Sequence, residues 1–430
     1  MTIPEGQAQS QHLFSKLKRL LSNDPLAIVR RLLANPTVRA TLVFGLSGLA
    51  FALGNLFLAR TMSVEDYGKF ALAIALFNVF SLLTPLGIDQ ALLRHRIDPG
   101  PRLLVLICIT GTIIGLAVGT VYWLYTDVQI ENIWMLALSI VSGGIVAILI
   151  ALARALHREH AALLLATVAS WILLVIGIVS FFIPMHLPLI PITLFAVANL
   201  LAAIVGWLTL CNAHRVVKSE RVSIPWAESF SLLGIAAIGT LVLQLERLII
   251  PFTIGLQELA VFSVLASVAI FPFRLLTASA GFSLVPKLRA ASDRRQKLRM
   301  IGRELLSIGL LAFVSTIGIV ILAPIVTDIF TAGRYQISFS LALAACVNGY
   351  SKIMQTIPRA LITACGNDHD ITRLNRLGWV GLFTSVLGGF LGANWGLEGL
   401  LYGVAIGSMA GTLPAIILAK GKLNEPAIAV

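Results

Sequence analysis

The hydrophobic positions of this chain form long apolar runs, and polar residues cluster in the short segments between them. A helix of about 20 apolar residues crosses the hydrocarbon core of a bilayer. We predict twelve such spans, at 40–59, 70–92, 103–126, 132–153, 161–183, 188–211, 230–253, 258–282, 304–329, 338–361, 377–393 and 397–419. The pattern predicts an all-α polytopic membrane protein.

Composition supports this class. Of the 430 residues, 58% are apolar and only 12% are charged, whereas a soluble domain carries about 25% charged residues. The net charge of +12 does not indicate nucleic-acid binding, because 26 of the 32 Lys and Arg residues lie in the segments on one side of the predicted spans. Basic loops face the cytoplasm. We therefore expect a multi-pass membrane protein with both termini cytoplasmic.

Residues 1–38 predict a basic amphipathic extension on the cytoplasmic membrane surface, with docking of a partner as the alternative. A shift of 192 residues aligns Thr61-Met-Ser-Val-Glu-Asp with Thr253-Ile-Gly-Leu-Gln-Glu. This weak repeat predicts two six-helix lobes, 39–215 and 216–430, related by a pseudo-twofold axis along the membrane normal.

The tenth predicted span carries a polar stripe. Asn348, Lys352, Gln355 and Arg359 fall on one face of a continuous helix. A cation near the bilayer centre costs several kcal/mol unless it faces water or a partner. The stripe therefore predicts a helix that lines a hydrated cavity. Arg359 is close enough to the inner surface to extend to it instead.

Other polar side chains fall inside the predicted spans. In the last six spans these are Gln244, Glu246, Arg247 and Arg274; in the first six they are Asn55, Asn78, Asp89 and Asn199. We predict that the cations bind an anionic substrate and that the amides contribute hydrogen bonds. Glu246 and Asp89 are candidates for ion coupling or ion pairing: Glu246 with Arg247 or a neighbour, Asp89 with Arg94. The alternative is a structural role for each of these side chains.

Several stretches resemble a known family. They are LARTMSVEDYGKFALA at 58–73, LGIDQALLR at 86–94, LERLII at 245–250 with ELAVFS at 258–263, VPKL at 285–288 and WGLEG at 395–399. These resemble Wzx-type polysaccharide flippases of the multidrug/oligosaccharidyl-lipid/polysaccharide (MOP) exporter superfamily. The resemblance covers nearly the whole chain from about residue 40.

The resemblance implies a MATE-like fold and a transporter that flips a polyprenyl-diphosphate-linked oligosaccharide by alternating access of its two lobes. It implies lipid-linked oligosaccharide and membrane lipids as partners, together with the glycan polymerase or export machinery of polysaccharide biosynthesis. No cofactor or nucleic acid is expected.

The sequence leaves two alternatives to the flippase open. A multidrug or cation antiporter of the same superfamily would favour acidic cavity residues. A membrane glycan polymerase or ligase would rely on a large outer loop, and the predicted outer loops are short, so we expect no enzyme. The four cysteines are far apart, and His157 and His160 lack further ligands, so no metal site is expected.

Overall fold

The computed structural model describes residues 36–95, 100–214, 225–269, 273, 288 and 294–424. The chain divides into two compact units, Met1–Leu46 and Ser47–Val430. Of the first unit, the described part is the beginning of helix α1, and the contacts given below lie within the second unit. The predicted extension 1–38 lies almost entirely outside the described residues.

The described residues form helices, turns and two short 3₁₀ segments. The first half of the chain contains α1 (Pro36–Thr61), α2 (Val64–Leu83), α3 (Ile88–His95), α4 (Pro101–Thr126), α5 (Glu131–Ala155), α6 (Glu159–Val179) and α7 (Leu189–His214). The second half contains α8 (Trp226–Thr253), α9 (Leu256–Ala269), α10 (Arg294–Thr331), α11 (Phe339–Met354), α12 (Thr356–Cys365), α13 (Asp368–Gly392) and α14 (Gly396–Gly421).

Within this described part, nine helical stretches are long and apolar enough to cross a membrane. The last of them, His369–Gly421, contains both α13 and α14, which fold back on each other after Trp395. With α9 and the α11–α12 pair, the chain has about twelve spans. The predicted all-α membrane fold is confirmed, and the protein is a multi-pass membrane protein.

The surfaces of these helices are apolar. Ile113, Leu306 and Ile406 are 64%, 74% and 73% exposed, which would be costly in water but is expected where lipid chains are the solvent. Apolar residues therefore occupy both the packed interior and the lipid-facing surface.

Two predicted spans are each broken at a proline. The span 70–92 divides into α2 and α3, because the chain turns at Pro85 and then passes through Leu86 and Gly87 with φ of 53° and 78°. The span 338–361 divides into α11 and α12 at Gln355. Pro358 has no N–H to donate to the carbonyl of Met354, so the helical ladder is interrupted there. Each of these two predicted spans therefore consists of two shorter helices.

Two helices organise the packing. In the first half, α5 contacts α2, α4, α6 and α7. In the second half, α8 packs on α13 and also reaches α2 and α3 of the first half. Helix α8 is therefore in contact with both halves of the chain, and its buried side chains lie between them.

Helices α13 and α14 form a tight antiparallel hairpin. Glycines face each other along it: a Cβ added at Gly403 would meet the carbonyl oxygen of Gly388, and one at Gly392 would meet that of Gly399. Because glycine has no side chain, the two backbones can approach closely.

The lobe boundaries 39–215 and 216–430 stay a prediction. The predicted span 258–282 is described only as far as Ala269, and at Phe273.

Candidate functional site

The middle of α8 carries three polar side chains that are almost completely buried. Gln244, Glu246 and Arg247 are 6%, 1% and 5% exposed. Successive residues of a helix point about 100° apart and do not face each other. Glu246 and Arg247 are therefore presented to different neighbours.

Glu246 is held by two side chains of α11. The Lys352 Nζ lies 2.8 Å from Glu246 Oε1 and donates to Oε2 at 2.9 Å. The Asn348 Nδ2 donates to Glu246 Oε1 at 2.6 Å. The ammonium is therefore neutralised by a carboxylate from another helix, which offsets much of the cost of burying it. The Asn348 Oδ1 remains buried without a hydrogen-bond partner.

Arg247 points to a different set of groups. Its Nη1 donates to Gln244 Oε1 at 3.2 Å, and its Cζ lies 5.8 Å from the centre of the Phe51 ring. Among the described residues, no carboxylate forms an ion pair with Arg247. The contacts of its guanidinium with described residues are the Gln244 amide and the Phe51 ring.

Asn55 and Tyr67 form a buried polar pair in the first half. The Tyr67 hydroxyl donates to Asn55 Oδ1 at 3.2 Å, and Asn55 Nδ2 donates to the Phe51 carbonyl at 2.7 Å. The Tyr67 ring packs edge-on against Tyr335, with centroids 6.2 Å apart. Burial raises the pKa of the Tyr335 hydroxyl, which lies in the loop after α10. Tyr335 is therefore a neutral phenol.

Arg359 lies at a separate cavity. Its Nη2 donates to Gln355 Oε1 at 3.1 Å. It lines a cavity of about 500 Å³ between α8, α12 and α13. Because the helical hydrogen-bond ladder is interrupted at Gln355, the four residues of the predicted stripe do not share one helix. Asn348 and Lys352 meet at Glu246, whereas Gln355 contacts Arg359, which lines this cavity.

The remaining candidates are not brought into these groups by any described contact. Asn78 is half-buried on α2. Asp89 accepts a hydrogen bond from Gln90 at 2.7 Å, and the side chain of Arg94 lies outside the described residues. Asn199 donates to the carbonyl of Phe195 in its own helix. Arg274 also lies outside the described residues.

The described residues contain no group of three His, Cys, Asp or Glu side chains that could hold a metal ion. Within the same part of the chain, Cys108, Cys346 and Cys365 are free thiols.

Sequence comparison identifies the family. The sequence model of a family described as "Polysaccharide biosynthesis protein" matches residues 57–340, which is most of the chain. The chain belongs to this family. No curated protein matches it in sequence.

Two solved structures show the same fold. Lipid II flippase MurJ, in an inward closed conformation, matches with a TM-score of 0.66 at 12% identity, over 89% of this chain and 87% of MurJ. An inward-facing multidrug resistance MATE family transporter of the MOP superfamily matches with a TM-score of 0.65 at 14% identity, over 89% and 97% of the two chains. These two likenesses confirm the predicted MATE-like fold, and the family match agrees with the resemblance to polysaccharide flippases.

In this polysaccharide biosynthesis protein, the sequence did not predict the buried hydrogen bond between Tyr67 and Asn55. The signal that was available is its position. Tyr67 and Asn55 lie near the facing ends of two consecutive predicted spans, so the short connection between those spans brings them to the same level. The Glu246–Lys352 pair had a weaker signal in the sequence, because hydropathy does not show which helices lie close enough for their side chains to meet.

Proposed function

We propose that this polysaccharide biosynthesis protein is a transporter that flips a polyprenyl-diphosphate-linked oligosaccharide across the bacterial inner membrane. The lipid would serve the synthesis of an O-antigen, capsule or exopolysaccharide. The protein would act without catalysis, by alternating access of the lobes 39–215 and 216–430, with both termini cytoplasmic. A glycan polymerase or export machinery would receive its product.

The observation that carries this proposal is the buried cluster at the centre of α8. Among the described residues it contains the cations Arg247 and Lys352 and one carboxylate, Glu246. Ionised groups inside membrane helices are costly and mark substrate or ion pathways. Because the cations outnumber the carboxylate, an anionic substrate is favoured over a cationic one.

The ion pair suggests how a diphosphate would be accepted. In the absence of substrate, Glu246 keeps the charge of Lys352 compensated. A diphosphate offers more negative charge and more acceptor oxygens than one carboxylate, so it would compete for Lys352 and also engage Arg247. Release of the diphosphate would restore the Glu246–Lys352 contact. The same carboxylate would then serve ion coupling if it takes up a proton when it is displaced.

Amide and hydroxyl groups near the cations suit a sugar. Gln244 contacts Arg247, Asn348 contacts Glu246, and Asn55 lies with Tyr67 beside the same helix. Sugar hydroxyls both donate and accept hydrogen bonds, and such side chains satisfy them. We propose Arg274, Asn78, Gln355 and Arg359 as further substrate contacts, with Asp89 in an ion-pair role.

A multidrug or cation antiporter is the second candidate. Glu246 favours it, because a buried carboxylate is what a cationic drug requires. In the structure, however, that carboxylate already faces Lys352 at 2.8 Å. A membrane glycan polymerase or ligase is a weaker third candidate, because the described connections between spans on the predicted outer side are short.

The decisive experiment is flipping in vesicles that contain the purified full-length protein. We expect Lys352→Ala to abolish movement of the lipid-linked oligosaccharide between leaflets, because the diphosphate loses its compensating charge. Lys69→Ala is the matched control, since the Lys69 side chain is about as little exposed as that of Lys352, 15% against 12%, and pairs with Glu65 at 2.9 Å, away from the candidate site. Folding is checked by size-exclusion chromatography.

Unchanged flipping in Lys352→Ala would remove Lys352 from the substrate site. If the wild-type vesicles move a cationic dye against a proton gradient and leave the lipid-linked oligosaccharide in place, the antiporter replaces the flippase as the function.

A further inference from the structure

A cavity of about 500 Å³ lies away from the buried ion pair. Its walls come from the first half of α8, from α12 and from the first half of α13. Its polar lining consists of Glu228, Ser231, Arg359, Thr372 and Asn375. A volume of this size is enough for a small-molecule head group.

Arg359 supplies a positive charge to this cavity. Its hydrogen bond to the neutral Gln355 leaves the guanidinium charge uncompensated, and no carboxylate of the described residues forms an ion pair with it. Glu228 lines the same cavity from α8 and forms no ion pair with Arg359. Since a guanidinium has five N–H donors, most of its hydrogen-bonding capacity is available to a ligand.

Asn375 provides a second and independent indication. Its Oδ1 is buried and has no hydrogen-bond partner among the described residues. Buried acceptors of this kind are rare unless a donor is missing. A hydroxyl group in the cavity would satisfy Asn375 while Arg359 holds an anion.

Along α8, the cavity lies on the N-terminal side of the ion pair. A narrow second cavity shares Arg359, Leu374 and Gly378 with it and continues to Val242. Arg359 therefore lies beside the stretch from Ile238 to Val242, which is about 6–12 Å before Glu246 at 1.5 Å per helical residue. A head group that moved along α8 from its beginning towards Lys352 would pass this arginine.

We propose that the cavity at Arg359 is a binding site for a phosphate or diphosphate group attached to a hydroxyl-bearing sugar, separate from the Glu246–Lys352 pair. Arg359 binds the phosphate oxygens through charge-assisted hydrogen bonds, and Asn375 accepts from a sugar hydroxyl. This inference rests on the proposed function, in which it is the site that receives the head group before Lys352 does.

The phosphate can belong to a lipid head group or to a soluble molecule, and the experiment separates the two. Purified full-length protein in detergent is titrated with farnesyl diphosphate, inorganic pyrophosphate and farnesol, and binding is measured by calorimetry. We expect farnesyl diphosphate to bind and farnesol not to bind. Binding of pyrophosphate with similar affinity would show that the phosphate alone is recognised, whereas much weaker binding would assign the site to a lipid head group.

Arg359→Gln is expected to weaken diphosphate binding about tenfold to a hundredfold, the effect of losing hydrogen bonds to a charged group. Arg376→Gln is the matched control, since Arg376 is exposed on α13 outside the cavity lining. Its affinity should stay within about twofold of the wild type. Arg359→Lys keeps the charge and should lose less than Arg359→Gln.

If Arg359→Gln does not fold, Ser231→Trp tests the same site from α8 by filling the cavity while leaving Arg359 in place. Wild-type affinity for farnesyl diphosphate in Arg359→Gln, or in a folded Ser231→Trp, would overturn the proposal. So would equal binding of farnesol and farnesyl diphosphate.

These outcomes are separable from the proposed function. Arg359-independent binding together with loss of flipping in Lys352→Ala would remove this site and leave the flippase in place. Arg359-dependent binding in a protein that flips no lipid-linked oligosaccharide would keep the site and remove the flippase.

Discussion

Glu246 accepts hydrogen bonds from Lys352 and Asn348 at a position where its own side chain is only 1% exposed. Bringing two charges out of water is expensive, and the attraction between them repays this only when the geometry is good and the remaining atoms are hydrogen-bonded. Here both oxygens of the Glu246 carboxylate are hydrogen-bonded, because Lys352 donates to Oε2 and Asn348 donates to Oε1. Each member of the pair therefore depends on the other for its stability.

This dependence can be tested with a double-mutant cycle. Glu246→Gln and Lys352→Met should each lower the free energy of unfolding by about 3 kcal/mol, because each leaves an uncompensated buried charge. The double variant should recover most of that loss, since neither charge remains. The measurement is thermal unfolding of the detergent-purified protein followed by tryptophan fluorescence.

The pair Glu65–Lys69 is the control for this cycle. The Lys69 side chain is about as little exposed as that of Lys352, 15% against 12%, but Glu65 is 56% exposed, and the two charges are 2.9 Å apart on one helix. Ion pairs that solvent reaches contribute about 0–1 kcal/mol, so Glu65→Gln and Lys69→Met should have small and additive effects. Additive losses at Glu246 and Lys352 as well would show that the two side chains are not energetically coupled.

At the residue scale the sequence predicted that Lys352 faces a hydrated cavity, with an ion pair as the alternative, because a bare ammonium exposed to lipid in a span is too costly. It left the partner of Glu246 open between Arg247 and a neighbour. Helical geometry narrows that choice, since Glu246 and Arg247 are successive residues and point in different directions. The identity of Lys352 as the partner depends on α11 lying within side-chain reach of α8, which a single sequence does not encode.

At the element scale, hydropathy located the spans but not the interruptions inside them. The residues on both sides of Pro85 and Pro358 are apolar, so a hydropathy window passes over each break. The prolines themselves were visible in the sequence. What the sequence could not supply is whether the chain bends and continues at a proline or starts a new helix, because neighbouring helices can satisfy the freed carbonyls in either case.

The α13–α14 hairpin offers a test of close packing between elements. Gly403→Ala should lower the free energy of unfolding by about 1–3 kcal/mol, the usual cost of overpacking, because the new methyl group meets the backbone of Gly388. Gly309→Ala in α10 is the control, since a Cβ there has nothing within 4 Å. Its stability should be unchanged or slightly higher.

Both variants are compared by thermal unfolding in the same detergent. A Gly403→Ala protein as stable as Gly309→Ala would show that the two helices separate without cost and that their close approach is not required.

At the scale of the whole molecule, the first and last six spans meet at one end of the helices. Arg334 Nη1 donates to the Met62 carbonyl at 2.9 Å, and the rings of Phe57 and Phe330 lie 6.2 Å apart. The Tyr125 hydroxyl donates to the carbonyl of Pro251. The distribution of Lys and Arg predicts that this end faces outward. These contacts must separate if a substrate leaves on that side.

The sequence predicted the number of spans, because each span needs its own apolar run. It did not predict which surfaces of the two halves touch. Lipid chains are as apolar as a packed interface, so Phe57 and Phe330 look no different in the sequence from the lipid-facing Ile113 or Leu306. Only the arrangement of the helices separates these roles.

Cross-linking tests whether the outer contacts open during transport. In a variant with Cys108, Cys211, Cys346 and Cys365 replaced by Ala, Phe57→Cys and Phe330→Cys are joined by a short reducible dithiol reagent. We expect flipping in vesicles to fall to background, because the link holds the two halves together, and to return when the link is reduced. Before cross-linking, this variant must flip lipid, and its rate sets the reference.

The matched control joins Phe57 to Phe181, whose rings are 5.3 Å apart within the first six spans. Since both residues belong to the same half, the Phe57→Cys/Phe181→Cys link should leave flipping near its reference rate. If both links block transport equally, the loss comes from rigidity near Phe57 rather than from holding the halves together. If neither link blocks it, the end that carries Arg334 and Met62 does not open in the cycle, and the substrate leaves by another route.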